Sequence, residues 1–172
     1  IRNCDWSSDV CSSDLTDIYN AAVIRGGSSA DTTPRTYAQR KAWVESHHDP
    51  YAVFVTTVPA TDAATEGGER IIGFSALSVF YDRAGYDGVT DLAYYIAPEW
   101  QGRGAGTFTL AKLLDECRNR HMRKACGIIF ADNRGSIALM KHFGFTQFGL
   151  MPQAATDSTG TMRDMSYWHL DL

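Results

Sequence analysis

The chain has 172 residues, of which 44% are hydrophobic, 21% charged and 12% aromatic, enough apolar side chain for the core of a single globular domain. That composition excludes a disordered tail, a repeat array and a mini-protein. Sixteen basic and 20 acidic residues are dispersed along it for a net charge of -4, so no footprint for nucleic acid or an anionic membrane is present. No apolar run approaches the ~20 residues of a membrane-spanning helix and nothing at the start reads as a signal peptide. The expected location is the cytoplasm, and the expected partner is a small molecule.

The opening Ile1-Arg2-Asn3-Cys4-Asp5-Trp6-Ser7-Ser8-Asp9-Val10-Cys11-Ser12-Ser13-Asp14-Leu15 is dominated by Ser and Asp, and neither a period of two nor one of 3.6 carries its apolar residues. Asp5 to Leu15 resembles a translated sequencing adaptor, with Ile1 to Cys4 as its variable index. Residues 1–15 are therefore expected to be a poorly packed scar, and residues 16–172 to form the domain. Two of the four cysteines, Cys4 and Cys11, fall in that stretch. Cys117 and Cys126 lack C-x-x-C spacing and read as reduced, buried thiols.

Asp17 to Arg25 carries Ile18, Ala21 and Ala22 at helical spacing and ends at Gly26-Gly27. Thr36 with Gln39 is a capping-box signature for a helix running to about His48, stopped by Asp49-Pro50. Tyr51 to Val58 is β-branched and aromatic, hence a strand; Pro59 to Glu69 is a polar turn with Gly67-Gly68; Arg70 to Phe80 completes a hairpin. Val89 to Ala97 is a third antiparallel strand. Beyond Pro98 the order becomes glycine-rich turn, helix (Phe108, Leu110, Ala111, Leu113, Leu114, Cys117), short strand Ala125 to Ala131, helix Asn133 to Phe143 closed by Gly144, and strands Phe145 to Leu150 and Asp164 to Leu170. The expected fold is α/β: a mixed, mostly antiparallel sheet with helices on both faces.

Gln101-Gly102-Arg103-Gly104-Ala105-Gly106 is the first chemical signal. Glycines where a strand ends and a helix begins let the backbone come close and aim unpaired N–H groups and the positive helix terminus at an anion, usually phosphate. Its spacing fits neither G-x-G-x-x-G nor the Gly-Lys-Ser/Thr phosphate loop. A turn serving only the chain reversal is the plain alternative. His47, His48, His121, His142 and His169 form no metal-binding spacing, so no metal is expected, and Gly73-Phe74-Ser75-Ala76-Leu77 lacks the closing glycine of a nucleophile elbow.

With its lead-in Tyr95-Ile96-Ala97-Pro98-Glu99-Trp100, this turn resembles the Q/R-x-x-G-x-G/A signature of the GNAT superfamily of acetyl-CoA-dependent N-acetyltransferases. Asn133-Arg134-Gly135-Ser136-Ile137-Ala138-Leu139 and Gly144-Phe145 resemble that family's N-x-x-S-x-x-L…G-F helix. Asp17 to Val23, Thr33-Pro34-Arg35-Thr36 and Arg83-Ala84-Gly85-Tyr86 are similar to the phosphinothricin acetyltransferase branch, which acetylates the α-amino group of glutamate-like amino acids. In that family a first strand precedes the Asp17 helix; here it is expected to be missing or replaced.

The resemblance implies acetyl-CoA as co-substrate, its pyrophosphate held by the backbone of Gln101, Gly102, Arg103, Gly104, Ala105, Gly106 and Thr107, with Arg103 adding a charge-assisted contact. Its pantetheine arm would pair with the strand edge at Tyr94, Tyr95 and Ile96. Asn133 is either a simple N-cap or also a coenzyme contact. Asp91 matches the branch's acidic base, usually Glu; the shorter side chain favours a water relay, and a solvated turn acid is the alternative. Arg83 and Tyr86 match the substrate-side R-x-x-Y, against a merely solvated loop charge. Arg35, Arg40 and Lys41 read as surface charges. The family's thiolate-protonating Tyr corresponds to Met140, leaving Tyr94, Tyr95 or His142 as substitutes. The expected activity is acetylation of a small primary amine by direct attack in a ternary complex, with a homodimer among the expected assemblies. The competing readings are a non-catalytic acyl-CoA-binding module and an enzyme for peptide or protein amines.

Overall fold

The structure, a computed structural model, describes residues 1–3, 9–60 and 68–172, and the side chains of residues 3–12 lie outside that description. Cys4, Cys11 and most of the Pro59 to Glu69 turn, including Gly67, therefore fall outside the described residues, wholly or at their side chains.

In chain order the elements are β1 (Arg2–Asn3), α1 (Asp9–Arg25), α2 (Tyr37–Glu45), β2 (Ala52–Pro59), β3 (Glu69–Val79), β4 (Val89–Ile96), α3 (Ala105–Asn119), β5 (Lys124–Phe130), α4 (Arg134–His142), β6 (Thr146–Thr156) and β7 (Met162–Asp171). They form one sheet in the order β1-β2-β3-β4-β5-β7-β6. Every pairing is antiparallel except β4 with β5.

The strands' two-residue alternation sorts the core into two layers. Val53, Val55, Phe74 and Ala76 point toward α1 and α2, where Leu15, Ile18, Tyr19, Val23 and Val44 pack on them. Phe54, Leu77 and Leu92 point the other way, against Leu110, Leu113, Leu114 and Cys117 of α3 and Met140 of α4. The expected mixed sheet with helices on both faces is what forms. Cys117 and Cys126 are free and buried, and burial pushes their thiols up to about 12 and about 11.

Two local features differ from expectation, and the outer edge falls within it. The first helix starts at Asp9 rather than Asp17, and Leu15 is fully buried within the core, so poor packing does not extend through residue 15. The outer edge, where the family's first strand was expected to be missing or replaced, is taken by the two residues of β1, paired Arg2 to Val55 and Asn3 to Phe54. Arg40 is not a surface charge: it is only 6% exposed, its guanidinium 4.2 Å from the ring centre of Tyr19 and 4.0 Å from that of Trp43. Amphipathic spacing on α2 buries Arg40 and Val44 together, four residues apart on one face. Arg35 and Lys41 are exposed as expected. The Thr36–Gln39 capping box is present in both directions: Gln39 N–H donates to Thr36 Oγ1 at 3.2 Å, and Thr36 N–H to Gln39 Oε1 at 2.9 Å.

Candidate active site

The parallel pair sets the geometry. β4 and β5 stay in register over three positions, Val89 with Lys124, Thr90 with Ala125 and Asp91 with Cys126, after which no pairing joins them. β4 continues to Ile96 as a strand bonded only to β3 on its other side. Its free edge at Tyr94, Tyr95 and Ile96 forms one wall of a cleft of about 440 Å³, which also takes in Gln101, Gly102, Gly104, Gly106 and Thr107 of the glycine turn and Asn133 at the start of α4.

The turn is built to leave its backbone bare. Gly102 and Gly104 have φ values of 72° and 85°, the left-handed region that only glycine enters without strain, and a Cβ at either would meet nothing within 4 Å. Open space therefore faces the main chain there. Gly104 is the N-cap of α3 and supplies no side-chain cap, so the helix's first N–H groups face this space unpaired by the helix itself. Gly106 is tight for a different reason: a Cβ there would come 3.3 Å from Leu139 Cδ1, so its absence lets α3 approach α4. Donors, dipole and room together suit a diphosphate. The unpaired β4 edge suits a chain of amides lying alongside it.

Other residues settle into distinct parts. Gln101 braces the turn, donating from Nε2 to the Ile96 carbonyl at 2.8 Å and accepting from Arg25 Nη1 at 2.7 Å. Arg25, on the last turn of α1, thereby reaches the cleft, a cation the sequence reading did not single out; its signal was the final-turn position beside Gly26-Gly27. Asn133 is an N-cap, its Oδ1 accepting from Ser136 N–H at 3.1 Å, and it also lines the cleft. Arg103 is exposed, its guanidinium 6.0 Å from the Trp100 ring, and Ala105 is buried in the helix start; neither side chain lines the cleft.

Asp91 sits where the two strands part. Its Oδ1 is buried and has no hydrogen-bond partner. Burial raises the carboxyl to about 7, partly opposed by the Leu92 backbone. A carboxylate ionising near neutrality is matched to taking a proton at physiological pH.

The three substitute acids separate cleanly. Tyr95 turns its ring to the α1 side, stacked on Phe74 at 5.1 Å and edge-on to Tyr19 at 5.1 Å. His142 lies at the far end of α4 against Phe143. Tyr94 faces α4: its hydroxyl lies near Ser136, buried and without a hydrogen bond of normal length, and burial raises it. Met140 is fully buried, its Sδ within 3.1 Å of where a Cβ on Gly127 would sit, so that position packs the core.

Arg83 and Tyr86 are not brought into the cleft. Both lie on the exposed loop before β4, where Arg83 is 5.7 Å from the Tyr81 ring centre and Tyr86 packs on Tyr81 and Phe80. Arg123 holds this loop by donating to the Asp87 and Gly85 carbonyls. Among the described residues no group of three or more His, Cys, Asp or Glu is placed to hold a metal, and no helix is long and apolar enough to cross a membrane.

A split parallel pair, an open glycine turn and an unpaired strand edge fit a ligand with a diphosphate and an amide-bearing arm, the form of an acyl-CoA. Residues 15–145 match the acetyltransferase (GNAT) family, and the chain belongs to it. It is an N-acetyltransferase, and acetyl-CoA is its acetyl donor. The chain is 32% identical over 137 residues to a phosphinothricin N-acetyltransferase of Streptomyces coelicolor, covering 78% of this chain and 76% of the relative. It is 28% identical over 156 residues to an L-methionine sulfoximine/L-methionine sulfone acetyltransferase of Pseudomonas aeruginosa, covering 90% and 86%. An acetyltransferase structure from Salmonella typhimurium with its cofactor acetyl-CoA superposes with a TM-score of 0.86 at 26% identity, covering 99% of this chain and 92% of that one.

Proposed function

We propose that the enzyme acetylates the α-amino group of a small, glutamate-like amino acid by direct attack within a ternary complex, with Asp91 as general base. The observation that carries this reading is the buried, unpartnered carboxyl oxygen of Asp91 at the point where β4 and β5 part. Two relatives named for phosphinothricin and for methionine sulfoximine and sulfone support the substrate class.

The donor supplies a thioester, whose C–S bond breaks as the amine nitrogen bonds to the acetyl carbon. Main-chain N–H groups from Gln101 to Thr107 would hold the diphosphate, and the β4 edge from Tyr94 to Ile96 would pair with the arm that follows. An amino acid's amine is mostly protonated at neutral pH, so Asp91 accepts its proton, through a water because Asp is one methylene shorter than Glu. Tyr94, the substitute acid whose hydroxyl is orphaned on the α4 side, returns a proton to the leaving thiolate. Arg83 and Tyr86 stay the substrate-side residues of this reading, on the loop leading into the Asp91 strand.

Thiol release with a panel of free amino acids tests the proposal. Saturable coenzyme A release by the wild type, lost in Asp91→Asn, is expected. Turnover only with peptide amines would replace the amino-acid reading with a protein-modifying one, and full activity of Asp91→Asn would remove Asp91 from the mechanism.

A further inference from the structure

Arg40 is an expensive residue to bury. It is 6% exposed, and its Nε and Nη2 are shut off from water with no hydrogen-bond partner. Three rings surround it, with centres 4.2, 4.0 and 5.3 Å from the guanidinium carbon at Tyr19, Trp43 and Phe74. Ring faces attract a cation but satisfy no N–H donor.

It borders a cavity of about 360 Å³ shared with Tyr19, Asp31, Arg35, Gln39 and Trp43. The single acid there is already engaged: Asp31 accepts from Arg35 Nε at 2.6 Å, from Arg35 Nη2 at 2.5 Å and from the Tyr19 hydroxyl at 2.6 Å. Two guanidinium groups against one carboxylate leave the cavity wall with a surplus positive charge. An arginine with no acid of its own, at a cavity wall that carries surplus positive charge, suits a carboxylate.

The cavity adjoins the acetyl-donor cleft. Tyr19 lines one and Ala22, three residues on along α1, lines the other; Tyr95, edge-on to Tyr19, borders the cleft. Arg40 lies over Phe74, whose strand partner is Tyr95, and Asp91 lies on the same strand four residues before Tyr95. Asp91 does not line this cavity, so a carboxylate held in it is set apart from the amine at Asp91, as the distal one of a dicarboxylic amino acid is.

We propose that Arg40 receives the distal carboxylate of a glutamate-like acceptor in this cavity, making it the residue that selects acidic amino acids. The proposal rests on the amino-acid reading for its place in catalysis, while binding itself can be read without turnover. The Arg40 Nε–H signal of nitrogen-15-labelled enzyme is followed while L-glutamate, 4-aminobutyrate and 2-aminobutyrate are added. L-glutamate and 4-aminobutyrate, which carry the distal carboxylate, are expected to shift it, and 2-aminobutyrate to leave it in place. No shift with any of them, or a shift with 2-aminobutyrate alone, overturns the proposal.

In kinetics, Arg40→Lys is expected to raise KM for L-glutamate at least tenfold with kcat little changed and with KM for 2-aminobutyrate unaltered. An equal loss for both substrates would make Arg40 a packing residue. A wild type that shifts the Arg40 signal but releases no coenzyme A with any amine would refute the acceptor class and leave the carboxylate site standing.

Discussion

Two acidic side chains, both withdrawn from solvent, have opposite surroundings. Asp91 at the parting of β4 and β5 has a carboxyl oxygen bonded to nothing and is held up near 7. Asp157, 1% exposed in the β6–β7 connection, is saturated. It accepts from the Thr159 hydroxyl at 2.6 Å, from the Thr159, Thr161 and Gly27 amides at 2.9, 3.2 and 2.9 Å, and from Arg163 Nε at 2.7 Å. These contacts, the Thr159 hydroxyl foremost, hold its carboxyl well below the usual carboxylate range. Arg163 also pairs with Asp132, and Ser158 donates to the Val23 carbonyl, so Asp157 ties the end of α1 to the last hairpin and to the loop before α4. Burial without partners leaves a group poised to react; burial with a full set of donors makes it a clamp.

The sharpest way to break this contrast is to neutralise each acid in turn. Asp91→Asn should cut kcat/KM by about 10²- to 10⁴-fold, the usual worth of a general base, while the melting temperature above pH 7 holds or rises. A mutant that melts much lower would make Asp91 structural. Asp157→Asn should give the largest fall in melting temperature, with kcat/KM at low temperature changing less than tenfold; an unaltered melting curve would break the clamp assignment.

Titration separates the pair further. Because Asp91 is raised above its ordinary 3.8, the folded state holds its proton more tightly, so its contribution to stability declines as pH rises from about 4 to 7, while kcat/KM climbs through about 7 as the base ionises. Asp157, lowered, stabilises above its unfolded value and loses that contribution as pH falls below about 4. Parallel stability and activity profiles in Asp91→Asn and wild type would contradict this. The smallest expected effect is at the donor turn: Gly104→Ala, placing a Cβ on a residue at φ 85°, should cost about 1–2 kcal/mol of stability and raise KM for acetyl-CoA.

What the sequence disclosed was what neighbours in the chain decide. The Thr36–Gln39 box, the glycine turn ahead of α3 and the Asn133 cap each need only a few consecutive residues, and all formed as read. Strands β2 and β3 were legible because β-branched, aromatic and apolar residues run along them, as strands buried on both faces require. The start of α1 was not: its first two turns lack an apolar period, and among their described side chains Leu15 is the buried apolar anchor. β6 runs on to Thr156 although none of its residues is buried, so no alternation marked its length. Arg40 looked like any helix-surface charge, since its burial comes from Phe74 on another element. The Asp157 clamp was hidden by distance along the chain, Gly27 lying 130 positions away.

The glycine turn presents main chain rather than bulky side chains to the cleft, and that has an evolutionary consequence. Peptide groups are common to every residue, so the coenzyme end of the pocket tolerates substitution wherever two glycines keep their unusual torsions. In the proposed reading the acceptor end depends on individual side chains such as Arg40 of α2. Divergence among these enzymes should therefore accumulate on the acceptor side, letting one inherited scaffold change its choice of amine while its acetyl source stays fixed.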